Sequence, residues 1–426
     1  MTAPVPSLAC FAPLMRRICL PVMAALALLP ASAAAQDETL MTKRLTAQMR
    51  LAGVYSGAYV VNLSGDAPRA VFRWRERTPR ILASNTKLFT TTAALARFGT
   101  EGTLGTEVLG TGELDLDGVY HGSLYLRGGG DPTFGSRRFT RRAYGGGATV
   151  QDLAKLLDEA GIQRVTGRVY GDESAFDSLR GGPDSGYGVS IWVGPLSALS
   201  YNRGLFTETG RAFQANPPAF AAARLDDALE ARDIPVRQKP RAGLTPEGAT
   251  VLASVDSPPM ERLLRLTNKP SDNFFAETLL KDLAHLAGGV GTTARGARIA
   301  TAFARRLGAH PTLVDGSGLS RADRASPAGV VRLLSSMYTR AEYDSFVDSL
   351  PIAGQDGTLK DRMRRGPARF RCRGKTGTLS DVSALSGYCE ARSGASYAYS
   401  ILMNGVYPTS ARRLQDRMMQ AIAKLG

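Results

Sequence analysis

The two ends of the chain carry the pattern of a single antiparallel sheet, and a stretch with a different pattern lies between them. Near the start, Tyr55 to Leu63 reads as a strand, Ser64-Gly65-Asp66 as a turn and Ala70 to Trp74 as the returning strand, which predicts a hairpin. Near the end, Phe370 to Thr378, Ala384 to Glu390 and Ser396 to Val406 predict three more strands. A helix is expected over 37–52, with Leu40, Leu45, Met49 and Leu51 among charges. A last helix runs from Ala411 to Leu425, with Leu414, Met418, Ile422 and Leu425 on one face. Terminal helices and a sheet built from both ends imply one domain, residues 36–100 and 263–426, interrupted by residues 101–262.

The interruption reads as a small α/β domain. Leu104 to Leu109, Gly122 to Leu126, Val165 to Tyr170 and Val251 to Val255 predict strands. Thr149 caps one helix, Pro217-Pro218 opens another, and a third covers Pro259 to Leu266. The runs Gly128-Gly129-Gly130 and Gly145-Gly146-Gly147 lack phosphate-loop spacing and read as turns.

The first residues stand apart from this fold. Arg16-Arg17 precede the apolar run Ile18 to Leu29, followed by Pro30 and the small residues Ala31 to Ala35. This is the layout of a secretory signal peptide over residues 1–35, and Met15 is an alternative start to Met1. The expectation is an exported, periplasmic protein that is soluble once the leader is cut. Removing 1–35 takes away two arginines and no acid, leaving 51 basic against 38 acidic residues, a charge of +13. In an exported protein that charge favours loose contact with anionic wall polymer or a membrane surface. Without aromatic interleaving or a binding motif, it does not indicate nucleic acid.

Chemistry concentrates in Ala83-Ser84-Asn85-Thr86-Lys87-Leu88-Phe89. Leu88, Thr91, Leu95 and Phe98 recur at helical spacing until Gly99, so Ser84 and Lys87 lie one turn apart at a helix start. A serine needs a base to become a nucleophile, and a buried lysine beside another cation can be neutral enough to serve. Alone, such a pair is equally a capping serine with a solvated lysine. A second constellation, Ser271-Asp272-Asn273, opens another helix. A third, Lys375-Thr376-Gly377-Thr378, lies on a strand, where Lys375 and Gly377 point one way and Thr376 and Thr378 the other, and the missing side chain at Gly377 leaves room for a substrate backbone.

In the order Ser-X-X-Lys, Ser-Asp-Asn, Lys-Thr-Gly, these motifs match the set of penicillin-binding proteins and class A β-lactamases. Further runs strengthen the likeness: Gly129-Gly130-Asp131-Pro132-Thr133, Asp315-Gly316-Ser317-Gly318-Leu319-Ser320, Leu350-Pro351-Ile352-Ala353-Gly354 and Asp356-Gly357-Thr358-Leu359. Over nearly all of residues 40–407 the chain resembles the D-alanyl-D-alanine carboxypeptidase/endopeptidase family of low-molecular-mass penicillin-binding proteins. The resemblance implies an α/β (α+β) fold of the penicillin-binding/β-lactamase type, with a five-stranded antiparallel sheet flanked by helices. Ser84 and Ser271 are 187 residues apart, a gap that class A β-lactamases do not have. No asparagine occurs between Asn273 and Lys375, so the Glu-X-X-X-Asn loop of those enzymes is missing. The chain also departs from the largest family members, since Ser200 to Ala219 bridges directly where a second β-rich insert would lie.

What the resemblance implies is a serine-type D-Ala-D-Ala carboxypeptidase or DD-endopeptidase acting on peptidoglycan stem peptides and inhibited by β-lactams, with neither cofactor nor metal. Ser84 is the expected nucleophile, Lys87 its base helped by the charge of Lys375, Ser271 a proton relay and Asn273 the holder of the acyl-chain amide. The backbone N–H groups of Ser84 and Thr378 are the expected oxyanion hole, and Lys375, Thr376 and Thr378, with Gly377 between them, the carboxylate site. A Ser-His-Asp scheme is the competitor, but His121, His285 and His310 lack a serine-elbow context. A catalytically silent wall binder should have lost one of the motif residues, and all are present. Asp131 either caps its own turn or meets the ammonium of a dibasic stem-peptide residue. Cys372 and Cys389 are nearly equidistant from the turn at Ser380-Asp381. They are either a disulfide or two buried thiols, depending on the register of the hairpin.

Overall fold

The computed structural model describes residues 33–426, so the leader reading falls outside the described residues except for Ala33–Ala35. The elements that position the site are, in chain order, α1 (Ala33–Leu51), β1 (Ser56–Asn62), β2 (Arg69–Trp74) and α2 (Thr86–Phe98). In the central stretch come β3 (Gly105–Gly110), β4 (Leu124–Gly128), α3 (Val150–Glu159), β5 (Val169–Asp172), α4 (Pro217–Glu230), β6 (Arg241–Ala242) and β7 (Thr250–Asp256). Then follow α5 (Met260–Asn268), α6 (Asn273–Leu286), α7 (Thr293–Arg306), α8 (Pro327–Tyr338), β8 (Cys372–Leu379), β9 (Val382–Glu390), β10 (Ser396–Asn404) and α9 (Pro408–Ala423).

The first sheet has five antiparallel strands in the order β8-β9-β10-β1-β2, so the N-terminal hairpin closes against strands from the far end of the chain. Side chains alternate across it. On β10, Ala398 and Leu402 join a core with Leu88 and Phe89 of α2, Phe274 and Leu279 of α6, and Leu334 of α8. Tyr397, Tyr399, Ile401 and Met403 face the opposite way, onto Leu45 and Met49 of α1 and Met418 and Ile422 of α9. Strands β9 and β10, covered on both faces, therefore read as nearly unbroken apolar runs.

A second sheet, mixed in sense, has the order β6-β5-β4-β3-β7 and its own core, with Val108, Leu126 and Val169 beneath Leu153 and Leu157 of α3 and Leu225 of α4. The chain leaves for this sheet and returns along paired segments, Met260 N–H donating to Gly102 O and Glu261 N–H to Thr100 O. From there Met260, Leu263 and Leu264 of α5 rejoin the first core. The single strand expected over Val165 to Tyr170 is instead two pieces, Arg164–Val165 and Val169–Asp172. Gly167 between them lies so close to Gly122 O that a Cβ there would sit 2.3 Å from it.

Cys372 and Cys389 are directly opposed in the β8–β9 register, and their sulfurs are bonded.

Candidate active site

Helix α2 carries the first motif into the core. Every residue from Thr86 to Leu95 is buried, and its run of β-branched threonines is accommodated because Thr91 and Thr92 hydroxyls donate to the carbonyls of Lys87 and Leu88. Ser84 lies just before it, half-buried, in the 3-10 turn Ala83–Asn85. Asn85 ties that turn to the edge strand, its Nδ2 donating to Lys375 O at 2.9 Å. The turn presses directly on β8. A Cβ at Gly377 would meet Leu82 O at 2.8 Å and Ser84 N at 3.0 Å. The glycine thus makes room for the chain's own serine turn, where the sequence reading had reserved the space for a substrate.

The three motifs meet here. Lys87 Nζ donates to Ser84 Oγ at 3.0 Å, Asn273 Oδ1 at 2.7 Å and Ser317 O at 2.6 Å. Lys375 Nζ donates to Ser271 Oγ at 2.7 Å and Thr376 O at 2.9 Å. Ala83 and Ser271, beside the two motif lysines, both hold positive φ, at 46° and 65°. Non-glycine residues in that region cost about 1–3 kcal/mol each, and such strain clusters at functional sites.

Electrostatics set the two lysines apart. Burial lowers Lys87 to about 8, against the opposing pull of Asp315, Glu277, Asp272 and Asp323. Lys375 is fully buried with no acid in contact, and burial, then the charge of Lys87, takes it well below the usual lysine value. Burial is the main cause of the lowering of Lys87, and two ammonium charges this close disfavour one another.

Several supporting residues carry no motif signature. Glu277 Oε1 accepts from Gly316 and Ser317 N–H, holding the loop whose carbonyl grips Lys87. Asn273 Nδ2 donates to Trp192 O at 3.1 Å, so a loop of the central stretch reaches the site. Arg203 pairs with Asp272, whose Oδ1 caps α6 by accepting from Phe275 N–H. On β8, Gly374 N–H donates to Pro351 O, away from β9; strand alternation turns the N–H groups of Thr376 and Thr378 the same way. Their hydroxyls are engaged elsewhere, Thr376 Oγ1 with Thr358 Oγ1 at 2.7 Å and Thr378 Oγ1 with Arg412 at 3.1 Å.

Asp131 is buried. Its Oδ1 accepts from Thr133 N–H and Oγ1–H, both at 2.7 Å, so it caps its own turn, while Oδ2 is buried without a partner. Burial raises it to about 7.

Two lysines that each hold a serine, on a helix and an edge strand of a five-stranded sheet, define a serine peptidase of the penicillin-binding fold. Residues 41–215 and 202–425 match the D-Ala-D-Ala carboxypeptidase 3 (S13) family, and the chain belongs to it as a serine DD-peptidase. It is 28% identical to a D-alanyl-D-alanine carboxypeptidase of Actinomadura sp., covering 80% of this chain and 76% of that one. To carboxypeptidase DacB of Mycolicibacterium smegmatis it is 30% identical, over 85% and 79%. Penicillin binding protein 4 of Haemophilus influenzae shares the fold, with a TM-score of 0.73 at 20% identity over 88% of this chain and 97% of that one.

Proposed function

We propose that the chain removes the terminal D-alanine of peptidoglycan stem peptides through an acyl-enzyme on Ser84. The observation that carries this is the 3.0 Å contact of Lys87 Nζ with Ser84 Oγ inside a buried pocket. Neutral Lys87 takes the Ser84 proton as Oγ attacks the carbonyl between the two D-alanines. The oxyanion forms between the N–H groups of Ser84 and Thr378, a placement supported by the outward turn of Thr378 and the closeness of Ser84 N to Gly377. Ser271, held by Lys375, passes a proton to the departing amine and is made good by the proton that Lys87 took from Ser84, so the C–N bond breaks with both groups restored. Asn273 keeps one Nδ2 hydrogen for the acyl-chain carbonyl, since the other goes to Trp192. Water then releases the shortened peptide. Cleaving a D-amino-acid cross-link uses the same steps with a different leaving amine.

A β-lactam presents the same carbonyl and acylates Ser84. Cleavage of residues 1–35 during export would bring the protein to the periplasm, where its positive charge favours anionic wall polymer. Among the described residues no helix is long and apolar enough to cross a membrane. The decisive experiment is intact-mass measurement after penicillin treatment. The wild type should gain one drug mass, and retention of the adduct in Ser84→Ala would refute the assignment.

A further inference from the structure

We propose that Arg412 of α9 is the cation that meets the carboxylate of the leaving residue, and so a specificity-determining residue outside the three motifs. The proposal rests on the reading of the site just given.

The two lysines of the cleft are poorly suited to this task. Lys87 is taken up by its contacts with Ser84, Asn273 and Ser317, and Lys375 is buried, bonded to Ser271 and Thr376 O, with no acid beside it. Burial favours the uncharged amine in Lys375, so it offers a hydrogen bond more readily than a charge. An anion arriving at β8 therefore meets no exposed cation among the motif residues.

Arg412 fills that gap by position. Its Nη2 donates to Thr378 Oγ1 at 3.1 Å, both residues are exposed, and no acid pairs with Arg412 among the described residues. A guanidinium carries five N–H donors and a permanent charge, in a fork that fits a carboxylate. Thr378 is also the residue whose N–H is assigned to the oxyanion. In the substrate, the attacked carbonyl and the carboxylate belong to neighbouring residues, whose α-carbons are about 3.8 Å apart. An oxyanion at Thr378 N–H thus leaves the carboxylate within reach of the same residue's hydroxyl and of the guanidinium on it.

The test compares kcat/KM for an acyl-D-Ala-D-Ala acid and the same peptide as its C-terminal amide, with wild type, Arg412→Ala, Arg412→Gln and Arg413→Ala. Arg413 is the exposed neighbour on the same helix. The wild type should prefer the acid. Both Arg412 variants should lose roughly 10- to 100-fold of that preference, the range of one charge-assisted contact, and Arg413→Ala should keep it. Thermal unfolding confirms that each variant is folded. An unchanged preference in the Arg412 variants, or none in the wild type, overturns the inference and leaves Ser84 acylation standing. A wild type that is not acylated by penicillin at all overturns the underlying reading instead.

Discussion

Gly377→Ala separates two accounts of why the edge strand carries a glycine. Its Cβ would sit 2.8 Å from Leu82 O, 3.0 Å from Ser84 N and 3.1 Å from Ala83 Cβ. Ordinary contacts begin near 3.4 Å, and two of the three atoms are backbone that cannot swing aside. Relief therefore requires the Ser84 turn and β8 to part by about half an ångström. Overpacking of this sort costs about 1–3 kcal/mol. Misplacing a reacting group by a full ångström costs on the order of 100-fold in rate, so half that distance predicts roughly tenfold. The assays are urea unfolding and the second-order rate of acylation by a fluorescent penicillin. Loss of stability together with a similar rate loss toward small and bulky substrates is expected. If stability is unchanged and only bulky substrates suffer, the glycine clears space for substrate and the packing argument fails.

The acylation rate should climb with pH up to about 8 and then level off, because Lys87 must be neutral to take a proton and burial sets its value there; a flat profile between pH 6 and 9 would exclude Lys87 as base. Asp131→Asn should be most stabilising at neutral to alkaline pH. The folded carboxyl holds its proton up to about 7 while the unfolded one releases it near 3.8, so wild-type stability falls across that window. The gap between variant and wild type should reach on the order of 4 kcal/mol at pH 8 and vanish at pH 4, and a pH-independent gap in urea unfolding would contradict this. The same variant should lose activity on a stem peptide with a free side-chain ammonium only if the unpartnered Oδ2 serves that group; equal turnover of blocked and free peptides limits Asp131 to its turn. Thiol titration of the denatured, unreduced protein should find neither Cys372 nor Cys389 free, and replacing both with alanine should cost about 3 kcal/mol for a loop of this length, as read by thermal unfolding.

Local signals made much of the scaffold legible. Gly99 stops α2 with φ 74°, Thr149 accepts from Asp152 N–H to cap α3, and the apolar runs of β9 and β10 mark strands covered on both faces. Ser84, Lys87, Ser271, Asn273 and Lys375 could be picked out because side-chain chemistry leaves a signature in sequence. A carbonyl does not, so the grips of Ser317 O on Lys87 and Trp192 O on Asn273 had no signal to find. Asp131 illustrates a different limit. A glycine-rich turn presents or buries its carboxylate according to what packs over it, and here the neighbour is Asp282 of α6, 151 positions further on, whose Oδ1 lies 1.9 Å from where a Gly130 Cβ would be. The lowering of both lysines likewise comes first from burial, which composition does not disclose.

The strand order has a consequence for how the enzyme comes into being. Ser56 pairs with Met403, 347 positions later, so β1 leaves the ribosome with one edge open and keeps it open until almost the whole chain has been made. A two-stranded hairpin is marginal on its own, and pairing over such a separation is slow because the connecting chain must first be brought round. Throughout that interval Ser84 lacks the β8 strand that seats it, although every strand of the second sheet, β3 to β7, lies earlier in the chain. A chain that ends before β8 lacks the wall of its own catalytic turn, so a nascent or truncated peptidase is idle by construction.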